Sequence, residues 1–237
     1  ARIMASLDTT TQARLQAVRE RIERAARAAG RAPGSVILVA VSKTFAADRV
    51  LQALQAGQRR FGENYLQEAR AKMAEVDQRW SGEAVEWHFI GPIQSNKTRE
   101  LAESFDWVQT VDRLRVAERL SAQRPAGRVP LNVLLQVNIS GEATKHGALP
   151  AELPALAHAV AALPRRCLRG LMAIPQPSHD PVQQRAPFAA LRGLFEQLRA
   201  QLPGGAPAFD TLSMGMSEDL EAAVAEGATM VRVGTAT

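Results

Sequence analysis

The sequence predicts a single (β/α)8 TIM barrel with an extra N-terminal helix, and three observations carry that prediction. Short apolar segments alternate with amphipathic ones along the whole chain, residues 36–41 are apolar at every position, and no antiparallel hairpin signal interrupts the series. A strand apolar on both faces belongs in a parallel sheet covered on both sides.

Leu15, Val18, Ile22 and Ala25 recur at helical spacing before Gly30 and mark the first helix, with glycine at its stop. The first strand, 36–41, ends at the polar Ser42, Lys43 and Thr44. Strands then follow at 60–62, 85–90, 107–111, 133–139, 168–173, 209–213 and 230–233. Helices between them are expected at 48–56, 65–76, 95–103, 114–123, 151–163, 182–202 and 218–226. Eight strands joined by helical crossovers return parallel each time, which favours a closed barrel over an open doubly wound sheet. Pro130, Pro154, Pro164 and Pro203 fall in turns or helix starts, and no linker divides the chain, so residues 1–237 are expected to form one domain. The chain stops at Thr237, just past the eighth strand, so either the first helix takes the place of the last or residues are absent.

Composition excludes several classes. No run of about 18 apolar residues exists, and the N-terminal stretch is Arg-rich without an apolar signal core, so a cytoplasmic protein away from the membrane is expected. The excess of 29 basic over 24 acidic residues raises nucleic acid as a partner, but much of it is Arg14, Arg19, Arg21, Arg24 and Arg27, interleaved with Glu20 and Glu23 on one helix. That pattern is a solvated face, and no aromatic residue punctuates it to stack on bases. Cys167, the single cysteine, has apolar neighbours and reads as a buried small hydrophobe. His88, His146, His158 and His179 lack metal-ligand spacing, so no metal is expected, and His88 is expected to be a satisfied core histidine. Neither a dinucleotide fingerprint nor a Walker-type motif is present.

Barrel sites are built at the C-terminal ends of strands. There the sequence places Lys43 on strand one, Glu63 and Asn64 on strand two, Gln136, Asn138 and Ser140 on strand five, Ser213 on strand seven, and Arg232, Gly234 and Thr235 on strand eight. Lys43 follows six apolar residues, where partial desolvation would favour a neutral amine able to attack an aldehyde; the plain alternative is a lysine reaching out of the barrel mouth. Gly234, Thr235 and Ser217, the last ahead of a helix, could cradle a phosphate, although Glu218 and Asp219 would oppose it; Ser217 is otherwise an N-cap. Arg232 shares the inward face with Gly234 and needs a partner, either a phosphorylated heteroaromatic ring or a carboxylate such as Glu63 or Asp210.

The segments AVSKT from Ala40, FGENYLQE from Phe61, WHFIGPIQSNK from Trp87, RGLMAIP from Arg169, LSMGMS from Leu212 and MVRVGTA from Met230 closely resemble the pyridoxal phosphate homeostasis proteins (YggS/PROSC family). The resemblance runs from the first helix to the last residue, in order and at matching spacing. It implies a fold-type III barrel like the N-terminal domain of alanine racemase, with pyridoxal 5′-phosphate (PLP) held as a Schiff base on Lys43. It further implies Asn64 beside the ring, Arg232 at the pyridine nitrogen, Ser217, Gly234 and Thr235 on the phosphate, and Met214 and Met216 lining the pocket; by composition alone the two methionines could equally be core filler. An arginine at that nitrogen leaves it unprotonated and weakens the cofactor as an electron sink.

The function so implied is intracellular PLP (vitamin B6) homeostasis by a monomeric carrier that delivers PLP to apo-enzymes, with no catalytic residue. The alternative is a low-activity amino-acid racemase or another PLP enzyme of this barrel type. Racemisation needs bases on both faces, which barrel racemases complete with a tyrosine from an extra β domain; here Tyr65 is the only tyrosine. Family members generally continue with an Ile-Phe-Gly-like segment after the final Gly-Thr-Ala, where this chain ends.

Overall fold

The structure is a computed structural model that describes residues 2–143, 146–205 and 207–234. Helix α1 (Arg2–Ala28) precedes β1 (Ile37–Val41), α2 (Ala47–Gln55), β2 (Arg60–Glu63), α3 (Leu66–Arg79) and β3 (Glu86–Phe89). A short 3-10 turn leads into α4 (Thr98–Ser104), followed by β4 (Trp107–Val111), α5 (Leu114–Gln123), β5 (Leu131–Gln136) and α6 (Leu153–Ala161). The series ends with β6 (Arg166–Met172), α7 (Pro181–Gln201), β7 (Thr211–Ser213), α8 (Leu220–Ala225) and β8 (Met230–Gly234). Every expected strand is present, and each pairs parallel with the next. β8 closes on β1 from Ile37↔Met230 to Val41↔Gly234, so the sheet is a closed barrel.

The alternating pleat sorts side chains into two layers. Val39, Trp107, Leu134, Met172 and Met230 form an apolar plug inside the barrel. The larger core lies between the strands and the helices that cover them, and includes Phe61, Phe89, Val108, Leu135 and Val233. Helix α1 packs against both α2 and α8 and so covers the barrel between them. Arg21 fixes it by a two-pronged bond to Glu221 at 2.5 and 2.7 Å, and Arg31 Nη1 donates to the Ala228 carbonyl at 2.6 Å.

Two details depart from the expected pattern. β6 carries a register shift opposite Val133 and Leu134, and Gly170 sits there at φ 149°. A Cβ at that position would lie 1.7 Å from the Thr211 carbonyl oxygen, so only glycine lets β6 approach β7. α8 is six residues long and begins at Leu220, later than its expected start at 218.

Candidate functional site

The C-terminal mouth is assembled by strand register. Val41 pairs with Gly62 and with Gly234, so Lys43 and Asn64, each two residues beyond a paired position, stand at one level beside the end of β8. Lys43 is exposed, so the desolvation expected for it is not met in the structure: the residue lies in the turn after β1, open to solvent. Thr44 follows at φ 66°, a left-handed conformation that non-glycine residues adopt at a cost of about 1 kcal/mol. Asn64 is half-buried, and its Oδ1 is buried with no hydrogen-bond partner among the described residues. Gly91, at the end of β3, makes room for it: a Cβ there would meet the Asn64 carbonyl oxygen at 2.3 Å. Asn138, past β5, donates through Nδ2 to the Glu142 carbonyl at 2.7 Å and likewise leaves its Oδ1 buried and unpartnered.

Arg232 projects into the barrel above the apolar plug and is 3% exposed. Its Nη1 donates to Ser213 Oγ at 2.6 Å and its Nη2 to the Ala173 carbonyl at 3.0 Å. Neither carboxylate suggested as a partner touches it. Asp210 is paired with Arg169 at 3.0 Å, and Glu63 lies on the outer face of β2 against α3. Burial pulls the Arg232 pKa down to about 10, partly offset by the more distant Asp219, so the guanidinium stays charged at neutral pH.

Below Arg232 the polar chain continues where the sequence showed only isolated residues. Ser213 Oγ donates to Gln109 Oε1 at 2.7 Å, Gln109 Nε2 meets His88 Nδ1 at 2.8 Å, and His88 Nε2 meets Glu86 Oε1 at 3.2 Å. Because the Gln109 amide nitrogen donates, His88 Nδ1 accepts and Nε2 carries the proton toward Glu86. His88 is fully buried and stacks on Trp107 with centroids 5.0 Å apart, which makes it the satisfied core histidine expected from the sequence.

Burial also pushes the His88 pKa below the ordinary histidine value, against the pull of Glu86. The unfolded chain therefore takes up this proton first as pH falls below about 6.5, and folding stability declines from there by up to about 1.4 kcal/mol per pH unit. We expect His88→Gln, which keeps a neutral polar group against Gln109, to flatten that decline. Denaturant midpoints between about pH 7 and about pH 5 would measure it. Equal slopes in the two proteins would show that His88 is not held neutral.

The loop after β7 differs from expectation. Ser217 is half-buried, but the N-cap position of α8 is Asp219, which makes no side-chain cap bond and whose Oδ1 instead accepts from the Met216 amide at 2.7 Å, back in the loop. Ser217 is therefore not the N-cap, and a six-residue helix offers little dipole to an anion. Gly215, at φ 103°, packs its backbone against Ala223 and accepts the Arg232 amide at 3.0 Å, which draws this loop beside β8. Met214 is wholly buried in the main core, whereas Met216 is exposed. A Cβ built on Gly234 meets nothing within 4 Å among the described residues; Thr235 lies outside them. Among the described residues no group of acidic, histidine or cysteine side chains could hold a metal ion, and no helix is long and apolar enough to cross a membrane. Cys167 is only partly buried, on a strand end less covered than its apolar neighbours suggested.

Sequence reasoning missed Lys72, Glu68 and Gln109. Lys72 is 5% exposed and donates to Glu63 Oε1 at 2.8 Å, to Glu68 at 3.2 Å and to the Ser42 carbonyl at 2.6 Å. Burial pushes the Glu63 carboxyl up, while Lys72 and Ser42 hold it down. The only sequence signal was the i,i+4 pair of Glu68 and Lys72, which on a helix normally denotes a solvated face.

Comparison with known proteins agrees with this architecture. The family model for the alanine racemase N-terminal domain matches residues 13–237. The pyridoxal phosphate homeostasis protein of Pseudomonas aeruginosa is 59% identical over 219 residues, covering 92% of this chain and 90% of that protein. The solved structure of PipY of Synechococcus elongatus with PLP bound superposes with a TM-score of 0.81 at 38% identity, covering 95% of this chain and 98% of that one. Alanine racemase of Corynebacterium glutamicum shares the fold at 15% identity and a TM-score of 0.63, and this chain spans 59% of its length. The chain thus belongs to the alanine racemase N-terminal domain family and, within it, to the pyridoxal phosphate homeostasis proteins.

Proposed function

We propose that this chain binds PLP through Lys43 and serves PLP homeostasis as a carrier that hands the cofactor to apo-enzymes, without efficient turnover of its own. The observation that carries the reading is the pairing of unmet polar groups with an available amine in one mouth. Among the described residues Arg232 is a buried cation with no carboxylate in contact, Asn64 and Asn138 each keep an unpartnered buried oxygen, and Lys43 stands exposed at the same rim. Buried polar groups in native proteins are as a rule met by protein, water or a ligand. The relative whose structure holds PLP supports the choice of ligand.

When bound, PLP supplies an aldehyde for a lysine and a ring that withdraws electrons. Lys43 would hold it covalently, and Arg232 would face the ring nitrogen, where a guanidinium donates a hydrogen bond and keeps that nitrogen unprotonated. Asn64 would orient the ring edge, Met216 would cover it, and Ser217, Gly234 and Thr235 would receive the phosphate. Each of these residues binds or orients. A second base is what racemisation adds, and Tyr65, the sole tyrosine, is 55% exposed on the rim. The protein would work in the cytoplasm as a monomer.

Borohydride reduction of the PLP-loaded protein followed by peptide mapping tests the binding mode, with the label expected on Lys43. Incubation with L-alanine tests the role. Formation of the D-isomer at about 1 per second or faster would make the protein an enzyme rather than a carrier.

A further inference from the structure

One buried ion network in the described residues makes no use of the cofactor groups named above, yet it ends on the peptide units that flank Lys43. Lys72 Nζ donates to the Ser42 carbonyl at 2.6 Å, on the N-terminal side of Lys43. The Thr44 amide, on its C-terminal side, donates to Glu68 Oε1 at 2.6 Å. That same Glu68 oxygen pairs with Lys72 at 3.2 Å, which closes a loop running from α3 through Ser42, Lys43 and Thr44 and back to α3. Beneath it Glu63, wholly buried, accepts from Lys72 at 2.8 Å and from Ser42 Oγ at 2.5 Å.

We propose that Glu68 and Lys72 are positioning residues that hold the backbone on both sides of Lys43 and thereby set how tightly this lysine retains an aldehyde cofactor. The proposal rests on the reading of Lys43 as the PLP lysine. If the network served packing alone, its spare hydrogen bonds would have no reason to fall on the two peptide groups that bracket one exposed lysine. A buried ion pair is by itself weak support for stability, and apolar residues of similar volume often serve as well. Thr44 adds the second argument: its left-handed backbone is held at a cost inside a turn closed by the Phe45 amide on the Ser42 carbonyl at 3.1 Å, and the bond to Glu68 ties that turn to α3.

The chemistry explains the consequence. The lysine amine attacks the aldehyde carbon, a C=N bond forms, the carbonyl oxygen leaves as water, and hydrolysis reverses the balance with one water consumed. Retention then depends on how closely the amine is held against a ring and phosphate fixed by other strands. A loosened turn adds an ordering cost to the bound state and lowers affinity. It leaves the point of attachment unchanged.

The experiment titrates the full-length protein with PLP, following the visible band of the bound cofactor, and maps the borohydride label in the native chain, Glu68→Ala and Glu68→Gln. Melting of each cofactor-free protein is recorded in parallel. We expect Glu68→Ala to weaken binding about tenfold with the label still on Lys43, and Glu68→Gln, which keeps an oxygen to accept the Thr44 amide, to recover most of the loss. If Glu68→Ala does not fold, the double variant Glu63→Gln with Lys72→Met removes both buried charges together and is expected to show the same weakening. Native affinity in Glu68→Ala, or in the double variant where that replaces it, overturns the inference. So does an equal loss in Glu68→Ala and Glu68→Gln that tracks their melting temperatures. A native chain without label on Lys43 overturns the functional reading first, and this inference with it.

Discussion

Replacing Lys43 with alanine is expected to leave the cofactor-free barrel as stable as the native one while abolishing both the borohydride-trapped label and most of the stabilisation that PLP confers. Lys43 is exposed, beyond the last residue of β1, and outside both core layers. Surface substitutions of that kind usually change stability by no more than about 0.5 kcal/mol. Ligand linkage then separates the two proteins. At a PLP concentration about 100 times its dissociation constant, the native chain gains about 2.7 kcal/mol, because only the folded state binds. Without the covalent bond, Lys43→Ala keeps only contacts to ring and phosphate and gains far less at the same concentration. Melting curves with and without PLP, together with mass mapping after reduction, measure both effects. Stoichiometric label in Lys43→Ala would move the attachment point to another lysine.

The second large effect concerns Arg232. Substitution by methionine should strengthen the empty barrel and weaken cofactor retention at the same time. The burial that pulls its pKa down to about 10 corresponds to a desolvation cost on the order of 3 kcal/mol for the charged form. The sign follows from the base being held charged below that pKa: the cost is present in full throughout the neutral range and begins to fall only as pH rises past it. Methionine removes the charge and fills similar space. It leaves the Ala173 carbonyl without this donor, a loss of about 1–2 kcal/mol, whereas Ser213 Oγ keeps its bond to Gln109. The balance is a gain of about 1 kcal/mol in denaturant unfolding at neutral pH. Binding should weaken by about tenfold or more, since a hydrogen bond from a charged donor is worth about 1.5–3 kcal/mol. A stability loss in Arg232→Met would mean that the guanidinium is there for the fold rather than for the ligand. Stability given up for a binding group is a common feature of sites.

Much of the molecule was legible from one dimension. Strand β1 announced itself by six apolar residues, and β4 and α5 lie at the expected residues, because two-sided burial and helical spacing leave signatures in a short window. Element ends were less legible. β5 begins at Leu131 and stops at Gln136, not at 133–139, because its limits are set by pairing with β6 across a bulge at Gly170. Among site residues, Arg232 announced itself as an inward charge on a closing strand, and the structure puts it there. The exposure of Lys43 and the bond of Asp219 back to the Met216 amide did not follow from local pattern, since each depends on how a loop lies over its neighbours.

The sequence by itself determined the barrel, its parallel order and the family, because the alternation of buried strands and one-sided helices admits few closed arrangements. Only the tertiary structure decided which polar residues meet. Glu63 and Lys72 read as a rim acid and a surface lysine until β2 and α3 are packed together. Then the outward face of the strand and the inward face of the helix bury both beneath Lys43, where a charge must be paired to be tolerated.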